Sequence, residues 1–217
     1  MSRAEPTVPP AAEQGGLRVG VLASQGDFAA HARMLEDLGA RPVEARVPEH
    51  LEGLDALVIP GGESTTIAKA IERDGLEPAL RAHHAAGRPI LGTCAGMIIC
   101  SRNHLGLLDA TCARNAFGRQ LASFEADLEV RGVGPEPMRA VFIRAPWIEE
   151  CGTEVEVLAS FDGHPVVVRH GSVLASSFHP ELTDDPRLHA LLMAMATTAQ
   201  DAAPLGGTRA GQKAEGK

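Results

Sequence analysis

The chain has 217 residues, 44% of them hydrophobic and only 3% aromatic, with no tyrosine. That is enough chain for one sizeable domain, and its core has to be aliphatic. A formal net charge of −8 and scattered Lys and Arg argue against a nucleic-acid binder, and no apolar run approaches the roughly 18 residues of a membrane span.

The first stretch, MSRAEPTVPPAAEQGG, lacks the apolar segment of a secretory signal, so residues 1–16 read as a disordered leader. Arg18 to Ser24 is a short Val/Leu-rich run, a buried strand. The period then changes: Phe28, Ala32, Leu35 and Leu38 fall at helical spacing and Gly39 is a plausible stop. RPVEARV and LDALVIP predict the second and third strands. GGESTT leads into a helix with Ser64 as candidate N-cap, and a break is expected near Gly75. RPILGT is the fourth strand and AGMIICSRN opens another helix. This alternation predicts a largely parallel sheet with helices on both faces.

Beyond about Leu107 the pattern changes. SFEADLEV, MRAVFIRAP, EVEVLASF and HPVVVRHGSVLASSF are closely spaced strands, with Asp162-Gly163 and His170-Gly171 as turns. Antiparallel strands should extend the sheet or form a small second one. A last helix follows in DDPRLHALLMAMATTAQ, and GGTRAGQKAEGK reads as a tail. The expected organisation is a leader over 1–16, one domain over 17–200 and a disordered tail over 201–217.

Four cysteines occur, with no CxxC pair and no His cluster at zinc spacing, so no metal or cofactor motif is read. Cys100, Cys112 and Cys151 read as small apolar filler in a chain expected to be cytoplasmic. Cys94 differs. It lies in Gly92-Thr93-Cys94-Ala95-Gly96, where a strand hands over to a helix. Gly-x-Cys-x-Gly has the form of a nucleophile elbow with sulfur for oxygen, and a helix N-terminus favours thiolate. Taken alone the motif reads more readily as a tight corner with a buried thiol than as a catalytic elbow.

The base must come from among nine histidines. His83-His84 read as a solvated helix face. His31, His50, His104, His164, His170 and His189 have no acidic residue evidently arranged to orient them. His179, in SFHPEL, has Glu181 two residues on, and in an extended chain the two side chains share a side. That is nucleophile, base and orienter. PGGESTT follows the third strand directly and belongs at the same sheet edge; it lacks the Lys-Ser/Thr ending of a phosphate loop.

GTCAG and HPE together resemble the triad (class I) glutamine amidotransferases. VLASQGDFAAH, VIPGGESTT, HLGLLDATCARNAFGRQ, VFIRAP and SFHPELTDD narrow the likeness to one branch, the glutaminase subunits of pyridoxal 5'-phosphate synthase, over about Arg18 to Ala196. The resemblance implies a three-layer α/β sandwich around a mixed, mostly parallel sheet, flavodoxin-like in plan. It implies hydrolysis of L-glutamine to glutamate and ammonia, which a partner synthase subunit would consume in a large hetero-oligomeric ring complex. By the same likeness Cys94 is nucleophile, His179 base and Glu181 its orienter. Gly62, Glu63, Ser64, Arg119, Ile143 and Arg144 match substrate-binding positions, and backbone N–H groups of Gly62 and Ala95 an oxyanion hole. Gln25 falls where the family meets its partner. The chain departs from the family at Ser24, usually apolar, and Ala116, commonly Ser, and in a shorter loop before HLGLL.

Overall fold

Strand and helix periods meet in a seven-stranded sheet. The computed structural model describes residues 16–202 apart from 25, 115 and 117–122. The strands are β1 (Arg18–Leu22), β2 (Arg41–Ala45), β3 (Ala56–Ile59), β4 (Ile90–Thr93), β9 (Glu156–Phe161), β10 (His164–His170) and β11 (Val173–Ser176), in the order β2-β1-β3-β4-β11-β10-β9. Pairings from β2 through β11 are parallel, with Val19 opposite Ala56 and Gly92 opposite Ala175. The last two pairings are antiparallel. The antiparallel segment therefore does extend the sheet, through a hairpin turned at Gly171 and another turned at Asp162-Gly163, both in left-handed backbone.

Alternation along each strand explains why the sheet is covered twice. Val19, Val21, Val58 and Leu91 point into one core; Leu22, Leu57, Ile59 and Ile90 point into the other. The first core is closed by α1 (Phe28–Asp37), through Leu35, and α5 (Arg187–Ala202), through Leu188 and Leu192. The second is closed by α2 (Ser64–Arg73), α3 (Glu77–Ala85) and the short α4 (Ala95–Cys100), through Ile67, Ile71, Leu80 and Met97. Gly39 stops α1 and Gly75 separates α2 from α3, both at positive φ.

Two small antiparallel pairs complete the fold. β6 (Ser123–Leu128) pairs with β7 (Met138–Ile143) and covers the first core. Phe142 is fully buried, stacked on Phe124 at 4.6 Å and edge-on to Phe178 at 5.6 Å. These contacts seat β7 against the end of β11. β5 (Ala110–Ala113) pairs with β8 (Trp147–Cys151), neither of which the sequence pattern marks as a strand.

Several local expectations need correction. Glu63, not Ser64, caps α2: its carboxylate accepts from the N–H groups of Thr65 (3.2 Å) and Thr66 (2.7 Å), and Ser64 is the first helical residue. Glu63 stands at the cap position, two and three residues before the N–H groups it accepts from, whereas Ser64 already lies in the first turn. His83 is buried, because it falls three residues after Leu80 on the inner face of α3; its Nε2 meets the Pro89 carbonyl at 3.3 Å. Cys100 does fill a core, but Cys151 ends an edge strand and is exposed.

Candidate active site

Parallel strands bring their carboxyl ends to one edge, where open α/β sheets place ligands. β1, β3, β4 and β11 all deliver a loop there. Cys94 follows β4 at once, with φ 48° and ψ −108°, a left-handed conformation costly for a residue with a Cβ. The surrounding chain enforces it. The Cys94 N–H donates to the Ser176 carbonyl at 2.8 Å. Both flanking glycines are sterically required: a Cβ on Gly96 would be driven onto the Ile59 carbonyl oxygen, and one on Gly92 would lie 2.7 Å from the Gly96 oxygen. The elbow is thus packed against β3 and against itself, and the sulfur is aimed into the loops.

His179 arrives from β11. Its N–H donates to the Val141 carbonyl of β7 at 2.9 Å, which fixes the backbone just before Pro180. Pro180 turns the chain into a 3-10 helix, Pro180–Leu182, so Glu181 faces His179 through a turn rather than along an extended strand. His179 Nδ1 and Glu181 Oε1 are 2.7 Å apart. The second nitrogen of the ring is then free for the Cys94 sulfur, with which the imidazole is also hydrogen-bonded. Burial works against the charged imidazole, but the hydrogen bonds to Cys94 and Glu181, and the charge on those partners, outweigh it and raise His179 to about 10. The arrangement holds a sulfur, an imidazolium and a buried carboxylate in one row.

A cleft of about 360 Å³ opens in front of the row. Gly61 and Gly62 form one wall, and Gly61 lies flush against the two side chains: a Cβ on it would sit 2.5 Å from His179 Cε1 and 3.3 Å from Cys94 Cβ. Gly62 has φ 140°, a conformation open to glycine, and Ala95 opens α4, whose first N–H groups have no intrahelical acceptor. Both line the cleft, as do Glu63, Ser64, Ile143 and Arg144. Arg144 is itself left-handed, at φ 44°, and the Ile143 carbonyl lies 4.0 Å from the Cys94 sulfur. Hydrogen bonds from Thr66 and Thr65 hold the Glu63 carboxyl down at about 2. Arg119 and Gln25 lie outside the described residues.

Two participants are not evident in the sequence. Arg114 lines the cleft and donates to Glu63 Oε1 at 2.9 Å, tying the β5 end to the α2 cap; nothing local distinguishes it from the other arginines. His31 was expected to lack an acidic neighbour, yet its Nε2 is 3.3 Å from Glu181 Oε2. Tertiary packing of α1 on the His179–Glu181 turn makes that contact. Among the described residues no group of three or more His, Cys, Asp or Glu side chains is placed to hold a metal ion, and no helix is long and apolar enough to cross a membrane.

Comparison with known proteins places the fold. A crystal structure of a glutamine amidotransferase is 50% identical, covers 82% of this chain and 98% of its own, and superimposes with a TM-score of 0.78. A putative GMP synthase subunit from Thermoplasma acidophilum, 18% identical, shares the fold at a TM-score of 0.69 over 86% of this chain and 96% of its own. The fold is that of the glutamine amidotransferases. Within that class, the model of the SNO glutamine amidotransferase family matches residues 21–198, and the chain belongs to this family. Relatives described as pyridoxal 5'-phosphate synthase subunit PdxT include those of Frankia alni, 52% identical over 82% of this chain and 94% of its own, and Acidothermus cellulolyticus, 53% identical over 82% and 93%.

Proposed function

We propose that the cleft hydrolyses L-glutamine to L-glutamate and ammonia, and that the ammonia serves a synthase subunit making pyridoxal 5'-phosphate, that is, vitamin B6. The observation that carries the chemistry is the row of Cys94, His179 and Glu181, with the sulfur on a strained elbow and the imidazole held charged between the other two. The name shared by the relatives supports the destination of the ammonia.

The Cys94 thiolate attacks the side-chain amide carbon of glutamine. The oxyanion forms against the backbone N–H groups of Gly62 and Ala95, where each donor is typically worth about 2.7–4 kcal/mol. His179 gives its proton to the departing nitrogen, ammonia leaves, and a thioester remains. His179, now neutral, takes a proton from water as it attacks the thioester; glutamate departs and Cys94 and His179 return to their starting state. Glu181 orients the imidazole and stabilises its charge throughout. Glu63 and Arg144 bring opposite charges to the rim, which suits an amino acid zwitterion, with Gly62, Ser64 and Ile143 shaping the seat. The family resemblance adds Arg119 as a substrate-binding position.

On the family resemblance, we read the synthase partner as a ring that carries glutaminase subunits. A cytoplasmic setting fits four free thiols, which a reducing compartment would preserve. A glutamine analogue with an electrophilic carbon in place of the amide tests the site. The expected result is one adduct per chain, on Cys94, protected by glutamine. Labelling elsewhere, or none in a folded protein, would overturn the assignment.

A further inference from the structure

We propose that His31, backed by His189, is a positioning residue for the reaction: a neutral imidazole pair behind Glu181 that fixes which way its carboxylate faces. The inference rests on the triad reading given above and adds the support under it.

Glu181 is almost fully buried, and only one of its oxygens is used by His179. The other, Oε2, makes no aligned hydrogen bond, and His31 Nε2 lies 3.3 Å from it. His31 comes from α1 and is fully buried; on its far side Nδ1 is 2.8 Å from Nε2 of His189, from α5, also fully buried. The same Nε2 of His31 is 3.4 Å from the hydroxyl of Thr93, the residue before the nucleophile. One imidazole edge therefore touches both the orienter and the elbow. The groups facing His31 are Glu181 and His179 on the β11 turn, His189 on α5 and Thr93 on β4.

Proton bookkeeping selects one arrangement. If His31 carries its proton on Nε2, that proton lies between the Thr93 hydroxyl at 3.4 Å and Glu181 Oε2 at 3.3 Å, too poorly aligned with the carboxylate for a full hydrogen bond but with its positive end beside the negative charge. His31 Nδ1 then accepts from His189 Nε2–H, and His189 Nδ1, which meets no partner among the described residues, is left as a bare acceptor. The opposite tautomers set a lone pair against the carboxylate and bury an N–H of His189 without an acceptor, the rarer and costlier orphan. Burial holds His31 down at about 3 and His189 at about 4, so the pair stays neutral at physiological pH. A neutral donor steadies the carboxylate without competing for the charge that Glu181 offers to His179. A lysine or arginine at position 31 would compete for it.

The test is glutamine hydrolysis by His31→Leu, His31→Gln and His189→Leu, each with kcat, KM, the pH dependence of kcat/KM and a melting temperature. His31→Leu is expected to lower kcat about tenfold with KM within about twofold, and to move the basic limb, which reports the His179 proton, to lower pH by about one unit. His31→Gln, which keeps a donor near Nε2, recovers most of both. His189→Leu moves the limb the same way by less. A merely structural role would lower the melting temperature while leaving the limb in place and would gain nothing from glutamine. An unmoved limb and wild-type kcat in folded His31→Leu overturn the proposal. If that variant does not fold, an unmoved limb in His189→Leu does so. Cys94→Ala separates the two levels: a wild-type rate independent of Cys94 defeats the triad reading, whereas a Cys94-dependent rate indifferent to His31 and His189 defeats only this inference.

Discussion

Gly61→Ala isolates the geometry of the site from the stability of the fold. Gly61 does not occupy the left-handed region, so alanine meets no backbone penalty there. All the nearest obstacles to the new Cβ are the two reacting side chains: His179 Cε1 at 2.5 Å, His179 Nδ1 at 3.0 Å and Cys94 Cβ at 3.3 Å. Ordinary contact begins near 3.4 Å, so the imidazole must retreat by about 1 Å, a displacement that costs on the order of 10²-fold in rate. His179 borders the cleft and has somewhere to go. The fold should therefore lose only about 1 kcal/mol, or about 2–4 °C of melting temperature. Steady-state ammonia release and thermal melting read the two effects side by side. Wild-type kcat/KM in G61A would refute the close packing of wall and triad, and collapse of the fold would refute the claim that the strain is confined to the site.

Three further outcomes follow from charge and packing. Glu181→Gln removes a charge-assisted hydrogen bond from His179, so kcat should fall by roughly 10- to 100-fold and the basic limb of kcat/KM should drop by about 1–2 pH units; an unchanged pH profile would contradict the orienting role. His31, His83 and His189 are buried neutral, held at about 3, 4 and 4 against 6.5 unfolded. Because these folded values lie below the unfolded one, their contribution is complete above pH 6.5 and is lost as pH falls towards 4. At pH 5 the loss amounts to at most about 6 kcal/mol, so denaturant titrations should show stability falling steeply between pH 6.5 and 4.5, and a flat curve would contradict it. Phe142→Ala should cost about 3–5 kcal/mol and lower the melting temperature by more than about 6 °C, since no solvent-facing rearrangement refills that stack.

What was legible in the sequence was local or repetitive. The apolar runs of β1, β3 and β4 announce strands buried on both faces, and the glycines at 92 and 96 announce an elbow because only glycine fits there. His179 and Glu181 are two residues apart, so one turn suffices to join them. Even so, the turn is a 3-10 helix enforced by Pro180, where extended chain was expected. The brace behind Glu181 was hidden because 158 positions separate His31 from His189 and only the packing of α1 and α5 on one face of the sheet brings them together. β5 and β8 were hidden for a compositional reason: ATCA is small-residued and WIEEC carries adjacent acids, so neither shows a period of two. The α2 cap was missed by one residue because Ser is the commoner cap, whereas here the Glu63 side chain reaches both N–H groups itself.

The central claim is that Cys94 releases ammonia from glutamine for a pyridoxal 5'-phosphate synthase subunit. Ammonia release from L-glutamine by the purified chain, with and without that subunit and with Cys94→Ala as control, tests it directly. The account predicts release that the synthase subunit stimulates and that Cys94→Ala abolishes. Release that survives Cys94→Ala, or no release under either condition, would contradict it.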